Sequence, residues 1–142
     1  MNGDALPTIT FTIRKFHKIG GKNRYCEYSM SLANGGSVVS LDAATNTITV
    51  SSDETVQIVF TAAGSYLLAG ICFRETDAGK GDPNGEVSFP SVLLNLADNR
   101  STLTVTDTAT TTSDYEFAML VVGISEKELG LIDPPIVNRP PA

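Results

Sequence analysis

The stretch Asp114-Tyr-Glu-Phe-Ala-Met-Leu-Val-Val-Gly-Ile-Ser125 decides the fold of this chain. It is rich in aromatic and β-branched residues, which favour extended structure. Its apolar side chains occupy both faces of an extended strand, with Tyr115, Phe117, Met119 and Val121 on one face and Ala118, Leu120, Val122 and Ile124 on the other. Such a run is typical of a central β-strand that is covered from two sides. We therefore expect a sheet to be built on both edges of this strand.

Strand-like runs recur along the rest of the chain. Alternation of apolar and polar residues predicts half-buried strands over Thr8 to Phe16, Arg24 to Ala33, Thr55 to Ala62 and Ser101 to Asp107. The run Ser65 to Arg74 is apolar on both faces, which predicts a second central strand beside the first. No segment has helical periodicity over a helix's length. We predict an all-β fold, an immunoglobulin-like antiparallel β-sandwich of about seven to nine strands.

The length and hydropathy of the chain indicate one globular unit. It has 142 residues, 42% of them hydrophobic, which suits a single β-sandwich domain over residues 1–142 with one core. Pro134 and Pro135 restrict residues 129–142 to a proline-rich edge strand or an extended arm. No run reaches the roughly 18 apolar residues of a membrane span, and the first residues lack a secretory signal pattern. We therefore expect a cytoplasmic protein.

Charge is spread unevenly along the chain. A net charge of −6 disfavours nucleic acid and anionic membranes as partners. Half of the ten basic residues nevertheless lie within eleven positions that contain no acid, namely Arg14, Lys15, Lys18, Lys22 and Arg24. The turn sequence Gly20-Gly21 predicts a hairpin with these residues at its tip. The tip suits an anion, a phosphate or the acidic face of a second copy of this chain. A lysine-bearing edge that blocks sheet aggregation explains the same residues.

The longest irregular stretch is residues 75–86. It carries oxygen-bearing side chains of the kind that calcium takes as ligands, at Asp77, Asp82, Asn84 and Glu86. Their order differs from that of the calcium-binding helix–loop–helix motif, and Lys80 lies among them. A calcium site and a plain solvated loop are thus the two interpretations of this segment.

The sequence contains no recognisable catalytic pattern. The one histidine, His17, lies among lysines that would repel the imidazolium formed when it acts as a base. One histidine and two widely spaced cysteines do not make the usual zinc sites, and no phosphate-binding or dinucleotide loop is present. We expect no enzymatic activity and no cofactor. Cys26 and Cys72 lie in apolar strand-like runs and are predicted to be buried thiols, with a disulfide as the alternative.

Two short stretches resemble known families. Ser101 to Asp107, followed by a short connection and Asp114-Tyr115, resembles the corner between the fifth and sixth strands of immunoglobulin-like domains. In that corner a tyrosine hydroxyl bonds to nearby backbone. The C-terminal part resembles the ending of small bacterial β-sandwich proteins of the DP-EP family, with Asp133-Pro134 as the matching dipeptide and no Glu-Pro dipeptide in the chain. The second resemblance implies a fold and a bacterial source, and no activity.

These features favour a non-enzymatic protein-interaction or self-assembly module. Its partner would be another protein or a second copy of the chain, which would make a homo-oligomer, joined through strand edges, the proline-rich arm and the basic hairpin. The alternative is a ligand-binding β-sandwich that holds an ion, a glycan or a small molecule with residues 75–86.

Overall fold

The structure, a computed structural model, describes residues 5–19, 23–76, 81–97, 100–109, 112–125 and 128–141, and only the backbone of 15–19, 23–25 and 128. These residues form strands and no helix, which confirms the all-β prediction. The strands are β1 (Thr8–Ile19), β2 (Asn23–Ala33), β3 (Val39–Asp42), β4 (Thr47–Val50), β5 (Val56–Ala62), β6 (Tyr66–Glu75), β7 (Ser91–Ala97), β8 (Arg100–Asp107), β9 (Ser113–Gly123), β10 (Glu128–Ile132) and β11 (Pro135–Asn138). Eleven strands exceed the predicted seven to nine, because the C-terminal segment supplies two paired strands.

The strands form two facing layers that are connected through β10. The hydrogen-bonded order is β3-β4-β11-β9-β10-β2-β1-β5-β8-β7, and β6 pairs with the other edge of β9. β11 pairs with the first half of β9 and β10 with its second half. β10 also pairs with β2, at Leu131 and Tyr25. Phe60 of β5 and Phe117 of β9 meet across the core with ring centroids 5.4 Å apart, so the layers make a sandwich.

The β-sandwich is confirmed, but its strand pairings are mixed and not all antiparallel as predicted. Three pairings are parallel: β1 with β5, β2 with β10, and β4 with β11. The alternation of side chains within one strand does not depend on the direction of its neighbour, so the sequence pattern carries no information about it. The immunoglobulin-like and DP-EP resemblances stay predictions.

β9 is the central strand that the sequence predicts. It is paired along both edges, and the face that carries Tyr115, Phe117, Met119 and Val121 is buried. The opposite face is half-buried, and Ile124 lies beyond the strand's end, 42% exposed. The alternation predicted for β1, β5 and β8 of the facing layer also gives buried residues, which include Ile9, Phe11, Ile58, Phe60, Leu103 and Val105.

β6 is an edge strand, not the second central strand that we predicted. It pairs with β9, as expected, but in the described residues no strand lies on its other edge. At its start, the Leu68 backbone N–H donates to Ser101 Oγ at 2.7 Å and so connects β6 to β8 of the other layer. Cys72 on β6 is exposed, against expectation, while Cys26 is buried and the two are not joined by a disulfide. An apolar run does not reveal which of its faces is covered.

The last strand lies inside a sheet. β11 is paired with β4 on one edge and with β9 on the other, and Ile136 and Asn138 are buried. Residues 135–138 are therefore not an edge strand or arm, as the prolines suggested. Pro135 is tolerated because it occupies the first position of the strand.

Candidate functional site

The segment 82–89 is folded around the carboxylate of Asp82, which is 7% exposed. Its Oδ1 accepts the backbone N–H of Val87 at 3.0 Å, and its Oδ2 accepts that of Ser88 at 3.1 Å. Oδ2 also accepts a hydrogen bond from the hydroxyl of Tyr115, which lies near the start of β9 on its buried face. The Tyr115 hydroxyl lies 2.9 Å from Ser88 Oγ as well. One carboxylate thus connects the segment to the central strand.

The ionisation of this pair follows from its surroundings. Burial by itself raises the pKa of Asp82, but the hydrogen bonds from Tyr115, Val87 and Ser88 outweigh it and leave the pKa below the ordinary 3.8. Burial and the adjacent Asp82 raise the pKa of Tyr115 to about 12. At neutral pH the tyrosine is therefore a neutral donor to a charged acceptor. The Tyr115 hydroxyl thus contacts the side chains of Asp82 and Ser88, whereas the resemblance to the immunoglobulin-like corner implies a bond to nearby backbone.

Aromatic packing fixes the same segment to β6. The rings of Phe89 and Phe73 stack with centroids 3.9 Å apart, and Phe89 meets Tyr115 edge-on at 5.0 Å. Gly85 lies against this stack with φ of +69°, and a Cβ atom there would come within 2.6 Å of Phe73 Cβ. A side chain at position 85 would thus be strained both by its backbone conformation and by this contact.

A cavity of about 490 Å³ opens beside the Asp82–Tyr115 contact. Its lining includes Glu75, Asp82, Ser88 and Ser113. Glu75 Oε1 accepts the backbone N–H of Asp82 at 3.2 Å, whereas Oε2 is buried without a hydrogen-bond partner in the described part of the chain. Two carboxyl groups thus lie at the lining of the cavity, and both are held by hydrogen bonds within residues 75–88 and from β9.

Three of the four residues of the calcium hypothesis lie in the described structure, and their surroundings differ. Asp82 is buried and accepts internal hydrogen bonds, whereas Asn84 and Glu86 are exposed. Asp77 lies outside the described residues. Among the residues that are described, no group of three or more histidine, cysteine, aspartate or glutamate side chains is placed to hold a metal ion. The calcium site stays a prediction.

The basic hairpin lies on β1 and β2, which pair from Thr8 with Ala33 to Ile19 with Asn23. Arg14 is exposed, and its Nη2 donates to the Tyr28 carbonyl at 3.2 Å. The side chains of Lys15, Lys18 and Arg24, and the whole of Lys22, lie outside the described part. The interaction role of these residues stays a prediction.

β7 is the most exposed strand, and the site prediction missed it. All seven of its residues are exposed, with exposed fractions of 41% for Val92, 65% for Leu93, 41% for Leu94 and 62% for Leu96. It pairs with β8 and ends the strand order, so its other edge has no partner strand in the described ranges. Residues 91–97 contain no charged side chain. That absence was the signal in the sequence, but the pattern did not show that this strand lies at an edge.

A second buried carboxyl group lies where β8 ends. Asp107 and Asn138 are both fully buried, and Asn138 Nδ2 donates to Asp107 Oδ1 at 2.9 Å. The backbone N–H of Ala109 donates to the same oxygen at 2.9 Å. Asp107 Oδ2 and Asn138 Oδ1 are buried with no hydrogen-bond partner among the described atoms. Burial raises the pKa of Asp107 to about 7, against the opposing effect of its two hydrogen bonds.

In the described residues the geometry defines a class: an all-β, two-layer sandwich with the uncharged edge strand β7 and a cavity beside Asp82 and Tyr115. No family model and no curated protein matches the chain. Among solved structures, it is similar to the crystal structure of the inclusion body protein PixA from Burkholderia cenocepacia J2315. The TM-score is 0.48 at 10% sequence identity, and the likeness covers 100% of this chain and 99% of that one. It does not assign a function.

No helix in the described ranges has the length and apolar content that crossing a membrane requires.

Proposed function

We propose that the protein is a non-enzymatic protein-interaction or self-assembly module whose contact surface is the open edge of β7. One observation carries this proposal: every side chain of β7 is exposed, although four of them are large and apolar. An open edge strand presents unpaired backbone N–H and C=O groups to any chain that can pair with it. Proteins that stay monomeric usually protect such edges with charge, proline or a covering segment.

The edge offers a partner two kinds of contact. Pairing with an added strand would satisfy the outward backbone groups of β7, which is a common mode of recognition between proteins. It would also remove apolar surface from water, and burying a leucine side chain completely contributes roughly 1.5 to 3 kcal/mol. Because Leu93 and Leu96 are more than half exposed, much of that free energy is still available to a partner.

Replacing Leu94 by lysine is expected to lower the molar mass of the protein in solution to that of one chain. A charge at the middle of β7 would have to be desolvated on pairing, and two copies would repel each other there. Light scattering on a sizing column at several concentrations measures this change. We expect a larger particle for the wild type and a single chain for Leu94→Lys.

The same assay includes one control variant and one variant that tests the basic hairpin. Gln57 is exposed on β5 of the same layer, so Gln57→Lys adds the same charge away from the edge and should leave the mass unchanged. Replacing Lys18, Lys22 and Arg24 together by serine tests the basic hairpin, whose contribution to association should weaken as salt is added. A mass that is the same for wild type and Leu94→Lys would contradict the proposed use of β7.

A ligand-binding role is the second candidate, and the cavity beside Asp82 favours it. If residues 75–86 bind calcium, titration calorimetry should show heat on adding calcium chloride, and Glu86→Gln should abolish it by removing a ligand charge. Glu54→Gln, an exposed substitution elsewhere, is the matched control. The absence of heat with the wild type would exclude the calcium site.

A further inference from the structure

We infer that the partner of β7 is a second copy of this chain, paired antiparallel with its own β7 about a two-fold axis at Leu94. This inference rests on the proposed function and makes it specific. The contact is isologous: both copies use the same surface, and the assembly closes at two chains through this edge.

Charge favours a second copy at this place. Two chains that each carry a net charge of −6 repel each other over most orientations. Residues 91–97 are without charge, so the edge is a place where identical molecules can approach. The Ser88 carbonyl accepts the backbone N–H of Thr108 at 2.8 Å, which holds the neighbouring Val87 beside the end of β8. Val87 is apolar and 69% exposed, so it extends the uncharged edge beyond β7.

The inner face of β7 lacks a cover of its own. Val92 and Leu94 lie opposite Val105 and Leu103 of β8, and they therefore point to the same side of the sheet. Val105 and Leu103 are at most 1% exposed, whereas Val92 and Leu94 are each 41% exposed. The opposite layer thus covers β8 but stops short of β7. An added strand would extend the apolar side of the sheet over this uncovered margin.

The inner-face residues of β7 match in kind when the strand is paired with a reversed copy of itself. A two-fold axis normal to the sheet keeps the inner face of one copy beside the inner face of the other. Even-numbered residues must therefore pair with even-numbered residues, and odd-numbered with odd-numbered. Only the register centred on Leu94 overlaps all seven residues. It places Leu94 opposite its copy, Val92 opposite Leu96, Leu93 opposite Asn95 and Ser91 opposite Ala97. The inner pairs are then all aliphatic, and aliphatic cross-strand pairs stabilise a sheet.

Disulfide formation between single cysteines tests this register in the full-length chain. The exposed Cys72 is first replaced by serine, and the buried Cys26 is kept. In that background Leu94→Cys should form a covalent dimer when oxidised glutathione takes up the two electrons and the two thiol protons and leaves as two molecules of reduced glutathione. Residues directly opposite in a sheet lie close enough for a disulfide. The dimer is read on a non-reducing gel.

The matched control is Ser91→Cys in the same background. In the inferred register the two Ser91 positions lie about 20 Å apart, since they are six residues from one another at about 3.4 Å per residue. Ser91→Cys alone should therefore stay monomeric on the gel, and an equal mixture with Ala97→Cys should give a linked dimer. This mixture also tests the inference if Leu94→Cys fails to fold.

The outcomes separate this inference from the proposed function. If Leu94→Lys lowers the mass but neither Leu94→Cys nor the mixed pair is linked, the edge contact stands and the two-fold register is overturned. If Ser91→Cys alone is linked as readily as Leu94→Cys, the register is also overturned. If Leu94→Lys leaves the mass unchanged, the proposed function itself fails.

Discussion

The wild-type protein is expected to lose about 4 kcal/mol of unfolding free energy between pH 4 and pH 8, and Asp107→Asn should abolish this loss. The reason is the raised pKa of Asp107, about 7 in the folded chain against an ordinary value of 3.8. Between these two values the folded state keeps a proton that the unfolded state releases. Stability therefore falls as the pH rises through this window, at about 1.4 kcal/mol for each unit of pKa difference.

The surroundings of Asp107 explain why its neutral form fits. It faces Asn138 of β11 and the N–H of Ala109, and no charged group contributes to its raised pKa. The ion pair between Asp114 of β9 and Arg139, at 2.5 Å, has both side chains about 40% exposed. A protonated Asp107 also supplies a hydrogen-bond donor to a cluster where, among the described atoms, two buried acceptor oxygens lack partners.

Urea unfolding followed by circular dichroism at a series of pH values measures this effect. Asp53→Asn removes an exposed carboxylate and is the matched control, which should keep the wild-type pH profile. Parallel profiles of the wild type and Asp107→Asn would show that Asp107 does not titrate in this window.

Replacing Asp82 by alanine is expected to lower the unfolding free energy at pH 7 by about 3 kcal/mol, since buried donors that lose their acceptor cost about 1 to 3 kcal/mol each. The donors are the Tyr115 hydroxyl and the N–H groups of Val87 and Ser88. The pKa of Asp82 is lowered by folding, so its contribution is present above the unfolded value of 3.8 and is lost as the pH falls through the folded value. The difference between the two proteins should therefore shrink in acid.

Hydrogen exchange locates the effect of Asp82→Ala. The amides of Val87 and Ser88 should lose protection first, because the carboxylate is their acceptor. Tyr115→Phe keeps the ring contact with Phe89 and removes only the hydroxyl, so its cost should be smaller, about 1 kcal/mol. Unchanged stability and protection in Asp82→Ala would contradict this account of residues 82–89.

Sequence reasoning worked where a local pattern repeats over many residues. The alternation in β9 identified both its extended structure and the buried face that carries Phe117, because side chains on a strand point to alternate sides. The same rule identified the inward residues Ile58 and Phe60 of β5. It worked less well for residues 135–138, because a strand of four residues shows too little alternation to identify.

The candidate sites were predicted less completely than the strands. Asp82 was singled out for its carboxylate, but its partner Tyr115 lies 33 residues away and could not be paired with it from the sequence. Asp107 was not singled out, since nothing near it in the chain indicates full burial beside Asn138. Both contacts form only when segments distant in sequence are brought together.

The sequence by itself determined the all-β class, the central strand and most of the inward side chains. Those features depend on periodicity, which is a property of neighbouring residues. Only the tertiary structure decided which strands lie at the edges, which pairings are parallel and where the two carboxyl groups are buried. Edge position, strand direction and burial depend on the order in which distant strands pair, and that order placed the uncharged strand β7 on the outside.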